Sequence, residues 1–243
     1  MKLKTIVAVA AVLLLIFPIA FKLFSAQTSG FHPIKTPKRG IKIALVGDSI
    51  TESSEYPSDL QNMLGENYSV GNFGSWGSTV SLNSWKPYMT QPQFHDALNF
   101  TPDAVVILLG TNDDLATARR YNETFEEDYT TLITSFQRLD SHPQVWIANS
   151  PPIYNDSADL NPQYLTNTII PDTKNVANNL NLPLIDVYTA FGNHTDYYNN
   201  DLIHPNSAGS AVIASTVYDA ISTLDNQAYL PDPPDFIWVQ PLW

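Results

Sequence analysis

A serine hydroxyl becomes an effective nucleophile only when a base takes its proton. Ser49 offers such a hydroxyl within Gly47-Asp48-Ser49-Ile50-Thr51. His204 offers the base within Asp201-Leu202-Ile203-His204-Pro205. Asp201, three residues before it on a tight turn, could orient the imidazole and stabilise its cation. Acyl transfer also requires donors where an oxyanion develops. Three are available in principle: the backbone N–H of Ser49, the backbone N–H of Gly77, and the side-chain amide of Asn112. Gly77 ends the segment Asn72-Phe73-Gly74-Ser75-Trp76-Gly77, and Asn112 lies in Gly110-Thr111-Asn112-Asp113. A glycine at position 77 lets backbone approach a substrate with no Cβ in the way.

Each cluster alone has a plainer explanation. Gly-Asp-Ser after a strand is often a turn or a helix cap. Gly-Thr-Asn-Asp is a turn signal. Asp-x-x-His-Pro could be a surface turn or half of a metal site. Asp113, Asp114, Asp201 and His204 lack an established ligand spacing, so no metal site is expected. His32, His95, His142 and His194 read as loop or surface histidines. What distinguishes the four clusters is their placement relative to the elements that must carry them.

Those elements alternate. Ile41 to Val46 reads as a buried strand ending at the serine cluster, and Pro57 to Leu64 as a short helix. Tyr68 to Phe73 is a weaker strand leading into the second cluster. Ala104 to Leu109 is apolar throughout, as in a central parallel strand covered on both faces, and it leads into Gly110. Glu123 to Leu139 carries Phe125, Tyr129, Leu132, Ile133 and Phe136 at helical spacing. Val145 to Ala148 and Leu184 to Val187 read as the fourth and fifth strands. Asn149 to Pro162 reads as a loop. Gln163 to Leu180 reads as a helix interrupted or bent at Pro171. A last helix spans Asn206 to Leu224. This alternation predicts a doubly wound α/β domain over 41–225, with a parallel sheet and helices on both faces. Sites in such sheets lie beyond the carboxyl ends of the strands, where all four clusters would meet.

The composition narrows the function classes. The chain has 243 residues and a net charge of −12. Seven of its twelve cations fall in residues 1–42, which hold no Asp or Glu, so the remaining body is strongly acidic. Such a body repels phosphate backbones, and no nucleic-acid partner is expected. Cysteine is absent, which excludes disulfides, thiolate metal sites and a cysteine nucleophile. Lys2 and Lys4 precede an apolar run from Ile6 to Phe21, the pattern of an export signal. Residues 1–26 are therefore expected to be a signal peptide or a retained membrane anchor, and residues 27–40 a polar linker. The catalytic domain would then lie outside the membrane. Asn-x-Ser/Thr sites begin at Asn67, Asn99, Asn122, Asn155 and Asn193, and they matter only in a glycosylating host. Residues 226–243 form a tail rich in proline and aromatic residues.

With the clusters in this order, the chain resembles the SGNH (GDSL-type) hydrolases. Gly47-Asp48-Ser49-Ile50 looks like their first block, Asn72 to Gly77 their second, Gly110 to Asp113 their third, and Asp201 to His204 their fifth. The resemblance implies a three-layer α/β/α sandwich around a five-stranded parallel sheet, flavodoxin-like in order. It implies Ser49 as nucleophile, His204 as base, Asp201 as its partner, and Ser49, Gly77 and Asn112 as oxyanion donors. No cofactor is implied. The Asn-Phe-Gly second block, Lys86-Pro87-Tyr88 and Ser150-Pro151-Pro152 look most like bacterial carbohydrate O-acetylesterases, including sialate and xylan esterases. Trp76 is a departure, because many relatives carry a small residue before the second-block glycine. No Gly-x-Ser-x-Gly elbow is present, which argues against the other large serine-esterase fold.

The expected function is an exported serine esterase acting on short-chain, acetyl esters of carbohydrate, its partner a small-molecule or polysaccharide ester substrate. A lysophospholipase or thioesterase of the same fold is the alternative that an N-terminal membrane segment would suit. A carbohydrate-binding protein that has lost catalysis is a third. No long apolar insertion offers an acyl channel, and Trp76, Trp85, Tyr88 and Tyr154 are expected to rim the site, where aromatic rings suit the flat faces of sugars.

Overall fold

The computed structural model describes residues 40–222 apart from Ala158. The expected signal or anchor, the linker through residue 39, residues 223–225 and the tail at 226–243 lie outside the described residues.

Among the described residues, five strands form one parallel sheet in the order β2-β1-β3-β4-β5. They are β1 (Ile41–Gly47), β2 (Tyr68–Gly74), β3 (Ala104–Leu108), β4 (Gln144–Ala148) and β5 (Leu184–Ile185). Among the described residues, seven α-helices of five or more residues pack around them: α1 (Ser49–Ser53), α2 (Tyr56–Leu64), α3 (Pro92–Asn99), α4 (Phe125–Gln137), α5 (Ile170–Asn179), α6 (Val187–Phe191) and α7 (Ser207–Ile221).

The central strands are apolar on both sides, yet their side chains sort by parity, because successive residues point to opposite faces. Ala44, Val46, Val105, Ile107, Val145 and Ile147 face one core, which Phe94 of α3, the apolar stripe of α4 and Val176 of α5 complete. Ile43, Leu45, Val106, Leu108, Trp146 and Ala148 face the other, completed by Tyr56 and Leu60 of α2, Phe191 of α6, and Ile213, Ala214 and Val217 of α7. The result is a three-layer α/β/α sandwich. Phe125, Tyr129, Leu132, Ile133 and Phe136 are all buried, as their spacing requires.

The register puts the functional loops at one level. Gly47 pairs with Gly74 on one side and with Leu108 on the other, so the chains leaving β1, β2 and β3 rise from the same edge. The strand order reverses between β1 and β3, which is where open α/β sheets form their crevice.

The structure differs from the expected elements at several places. α3 is a helix where none was expected: only Phe94 and Ala97 are buried on it, too few to show a period, and Pro92 opens it. The fifth strand stops at Ile185, because the Asp186 carboxylate caps α6 by accepting the Thr189 N–H, so Val187 is already helical. The helix expected to bend at Pro171 instead widens into a π-helical turn at Leu165–Ile169 before α5. Proline supplies no N–H and crowds the carbonyl of residue i−4, and the wider turn accommodates both. The last helix, expected over Asn206 to Leu224, is present as α7, and Thr223 and Leu224 lie outside the described residues.

Candidate active site

At the end of β1 the chain turns sharply into α1. A Cβ on Gly47 would fall 1.9 Å from Thr51 Oγ1, so only glycine permits this turn. Asp48 caps the helix, its Oδ1 accepting the Ile50 N–H at 2.9 Å. Ser49 follows as the first helical residue and is 6% exposed. The neighbouring loop braces α1 from outside. Asn72 Nδ2 donates to the Thr51 carbonyl at 2.9 Å, and Glu52 Oε2 accepts the Trp76 N–H at 2.8 Å. A Cβ on Gly74 would lie 2.2 Å from Glu52 N, so this close approach also requires glycine.

The second half of the site is the turn 199–205. His204 Nε2 lies 2.9 Å from Ser49 Oγ, and His204 Nδ1 lies 2.7 Å from Asp201 Oδ2. The other Asp201 oxygen accepts the N–H groups of Ile203 and His204 at 3.0 and 2.9 Å. Partial burial raises the Asp201 pKa, but the backbone N–H groups of His204 and Ile203 and the His204 ring outweigh it and hold the carboxyl below its ordinary range. The turn forces Leu202 to a φ of 58°, a conformation that costs a branched residue on the order of 1–3 kcal/mol. Its surroundings hold it there. The Tyr154 N–H donates to the Leu202 carbonyl at 3.0 Å, Leu202 N–H donates to Asn199 O at 3.0 Å, and Asn155 Nδ2 donates to Asp201 O at 3.0 Å.

The candidate oxyanion donors sit on loops that touch each other. Ser78 N–H closes a tight turn onto Ser75 O at 3.1 Å, with Gly77 at a φ of 68° in its third position, where glycine is favoured. The Ser75 N–H donates to the Gly47 carbonyl at 2.9 Å, tying this turn to the serine loop. Asn112 Nδ2 donates to Ser78 O at 3.1 Å, so the amide is fixed beside the residue that follows Gly77. An amide nitrogen carries two hydrogens, and Ser78 uses one.

Two buried carboxyls underlie these loops. Burial pushes the Asp48 carboxyl up to about 7, against the opposing pull of the Ile50 N–H and of His204. Burial likewise raises Asp113 to about 6, although its oxygens accept the Ser81 and Val80 N–H groups at 2.9 and 2.8 Å. Asp113 thereby anchors the chain after the Gly77 turn to the loop that carries Asn112.

Ser49, Trp76, Asp201 and His204 line one cleft of about 250 Å3, together with Ser53, Ser54 and Asn199. Gly77 directly follows Trp76, and Asn112 is tied to Ser78 O, so both lie on the loops that adjoin the cleft. Trp76 is 57% exposed at the rim, and Trp85 packs edge-on against it with ring centroids 6.3 Å apart. Two of the aromatic residues expected at the rim are elsewhere. Tyr88 is buried, its hydroxyl donating to the Phe73 carbonyl at 2.7 Å and its ring against Phe94, so it belongs to the core. Tyr154 packs against Tyr198 and borders a second cavity. The supporting roles of Asn72, Glu52 and Asn155 were not read from the sequence. Asn72 lies inside the second cluster, but nothing in its spacing says which carbonyl it reaches.

The profile of the GDSL-like lipase/acylhydrolase family matches residues 45–212. The chain belongs to this family. An acetylxylan esterase of Xylanibacter ruminicola is 31% identical over 214 residues, covering 77% of this chain. The chain spans 45% of the length of that relative. Among solved structures, an acetyl xylan esterase superposes with a TM-score of 0.61 at 22% identity, covering 74% of this chain and 100% of the other. A lipase/acylhydrolase from Enterococcus faecalis gives 0.58 at 23% identity, covering 76% and 96%. At these identities the structural likeness speaks to the fold that this GDSL-like family member shares with them.

Proposed function

We propose that this chain is a serine ester hydrolase that removes acetyl groups from carbohydrate. The observation that carries the reading is the continuous relay from Ser49 Oγ through the His204 ring to Asp201 at the wall of an open cleft. Ser49 Oγ attacks the ester carbonyl while His204 Nε2 takes its proton. Asp201, held ionised by its N–H donors, keeps the imidazole oriented and stabilises its cation. The carbonyl oxygen gains negative charge and is met by the N–H groups of Ser49 and Gly77 and the Asn112 amide. As the tetrahedral intermediate collapses, His204 returns the proton to the departing sugar hydroxyl. Water then attacks the acetyl-serine by the same route in reverse and releases acetate.

The small cleft and the tryptophan at its rim support a short acyl group, and the acetylxylan esterase relative supports a carbohydrate ester. The basic n-region and apolar run at the N-terminus support export, with the hydrolase domain outside the membrane. The direct test is a substrate panel: acetylated xylo-oligosaccharide, lysophosphatidylcholine and an acyl-thioester. The reading requires the acetylated sugar to give the highest kcat/KM, and preferential turnover of the lipid or the thioester would replace it.

A further inference from the structure

Tyr154, whose N–H holds the turn that carries Asp201 and His204, also lines a second cavity of about 550 Å3, within the range of small-molecule sites. Its walls come from three segments. The loop after β4 gives Tyr154, the turn before α5 gives Gln163, Thr166 and Asn167, and α6 gives Tyr188. We propose that this cavity is a second subsite that holds the neutral backbone of an oligosaccharide whose acetyl ester lies at Ser49. The inference deepens the esterase reading and rests on it.

Three observations carry it. First, the lining is chemically selective. In a chain with 24 acidic and 12 basic residues, none of the described residues that line this cavity carries a charged side chain, while amides, hydroxyls and two phenol rings line it. That set suits a ligand with many hydroxyls and flat apolar faces, and it supplies no full charge to pair with a phosphate, a carboxylate or an ammonium group. Second, the wall is built rather than incidental. The Tyr188 N–H donates to Asn149 Oδ1 at 2.8 Å, and the Tyr188 hydroxyl lies 2.9 Å from Thr166 Oγ1. The Tyr154 hydroxyl donates to the Gly192 carbonyl at 2.9 Å. The π-helical turn imposed ahead of Pro171 includes Thr166 and Asn167, and such turns recur at functional sites. Third, the cavity shares a structural member with the catalytic turn. Tyr154 borders the cavity and holds Leu202 by its backbone N–H, while the next residue, Asn155, holds the Asp201 carbonyl. A chain of sugars seated there is thereby kept in register with the relay through one short segment.

The test is direct binding, which does not depend on turnover. Unacetylated xylohexaose is titrated into the full chain carrying Ser49→Ala, followed by tyrosine fluorescence and calorimetry. Saturable binding is expected, weakened about tenfold or more by Asn167→Ala or by Tyr188→Leu in a chain whose thermal unfolding remains cooperative. A charged chain of similar length, hexagalacturonate, is expected not to bind. Absence of xylohexaose binding, binding unaffected by both substitutions, or equal binding of hexagalacturonate each overturns the proposal. Hydrolysis of p-nitrophenyl acetate by the unsubstituted chain reports on the esterase reading separately, because that ester carries no sugar. Turnover without xylohexaose binding removes the subsite and leaves the esterase standing.

Discussion

The side chain of Asn72 bridges the end of α1 and its own strand: Nδ2 donates to the Thr51 carbonyl at 2.9 Å while Oδ1 accepts the Gly74 N–H at 3.0 Å. Helix α1 is only five residues long and has few hydrogen bonds of its own to fix Ser49. Asn72→Ala should therefore cost modest stability, about 1–2 kcal/mol for the lost bonds. It should also lower kcat by roughly tenfold with little change in KM, because the nucleophile loses its alignment. Urea unfolding and steady-state kinetics check the two halves. An unchanged kcat would show that α1 is fixed without Asn72.

Asn112→Ala should lower kcat by about 10²–10³, the usual cost of one lost oxyanion donor. KM should move little, since the charge it meets develops in the transition state. The substitution also breaks the bond to Ser78 O, so Gly77 is released from one side. A variant with wild-type kcat would remove Asn112 from the reacting centre.

Trp76→Ala should shift the substrate preference toward longer acyl chains. The indole stands at the rim of a small cleft, with its backbone held by Glu52 and its ring against Trp85. A series of p-nitrophenyl esters from acetate to octanoate measures this. The ratio of octanoate to acetate kcat/KM should rise at least severalfold, and an unchanged ratio would place the acyl group elsewhere.

Stability should decline as pH rises from about 4 to about 7. Asp48 titrates near its ordinary 3.8 in the unfolded chain and near 7 in the folded one, and Asp113 and Asp114 are raised to about 6. In that window the folded chain binds more protons than the unfolded chain, so raising the pH favours unfolding. Asp201 and Asp186 are lowered and act in the opposite sense, but only as pH falls below the ordinary carboxylate range. Asp48→Asn keeps an oxygen for the Ile50 N–H and removes one titration. It should flatten the loss between about pH 4 and about pH 7 by an amount on the order of a few kcal/mol. Parallel stability curves for variant and wild type would contradict this role for burial at Asp48.

The centre of the sheet was legible in the sequence because Ala104–Leu108 is apolar throughout, short, rich in β-branched residues and followed by a turn signal, whereas Tyr68–Gly74 is mixed and reads as the weaker strand. The Ser49, Gly77, Asn112 and His204 loops were legible because each follows a strand or precedes the last helix, where a parallel sheet must gather them. The aromatic residues were not legible in the same way. Trp76 and Tyr88 look alike in sequence as large rings near the second cluster, yet one is on the rim and the other donates to Phe73 in the core. Only packing separates them. α3 was hidden because a helix that buries two residues has no readable period, and the cavity beside Tyr188 was hidden because its walls come from three separate segments.

The most direct measurement of the account is the turnover of p-nitrophenyl acetate by Ser49→Ala, made alongside the wild-type chain at matched stability. The hydroxyl it removes is the one 2.9 Å from His204 Nε2, and no other group is assigned to attack. A loss of several orders of magnitude in kcat is expected, on the scale of about 10⁶ seen when a triad serine is removed. Retention of more than a few per cent of wild-type activity would contradict it.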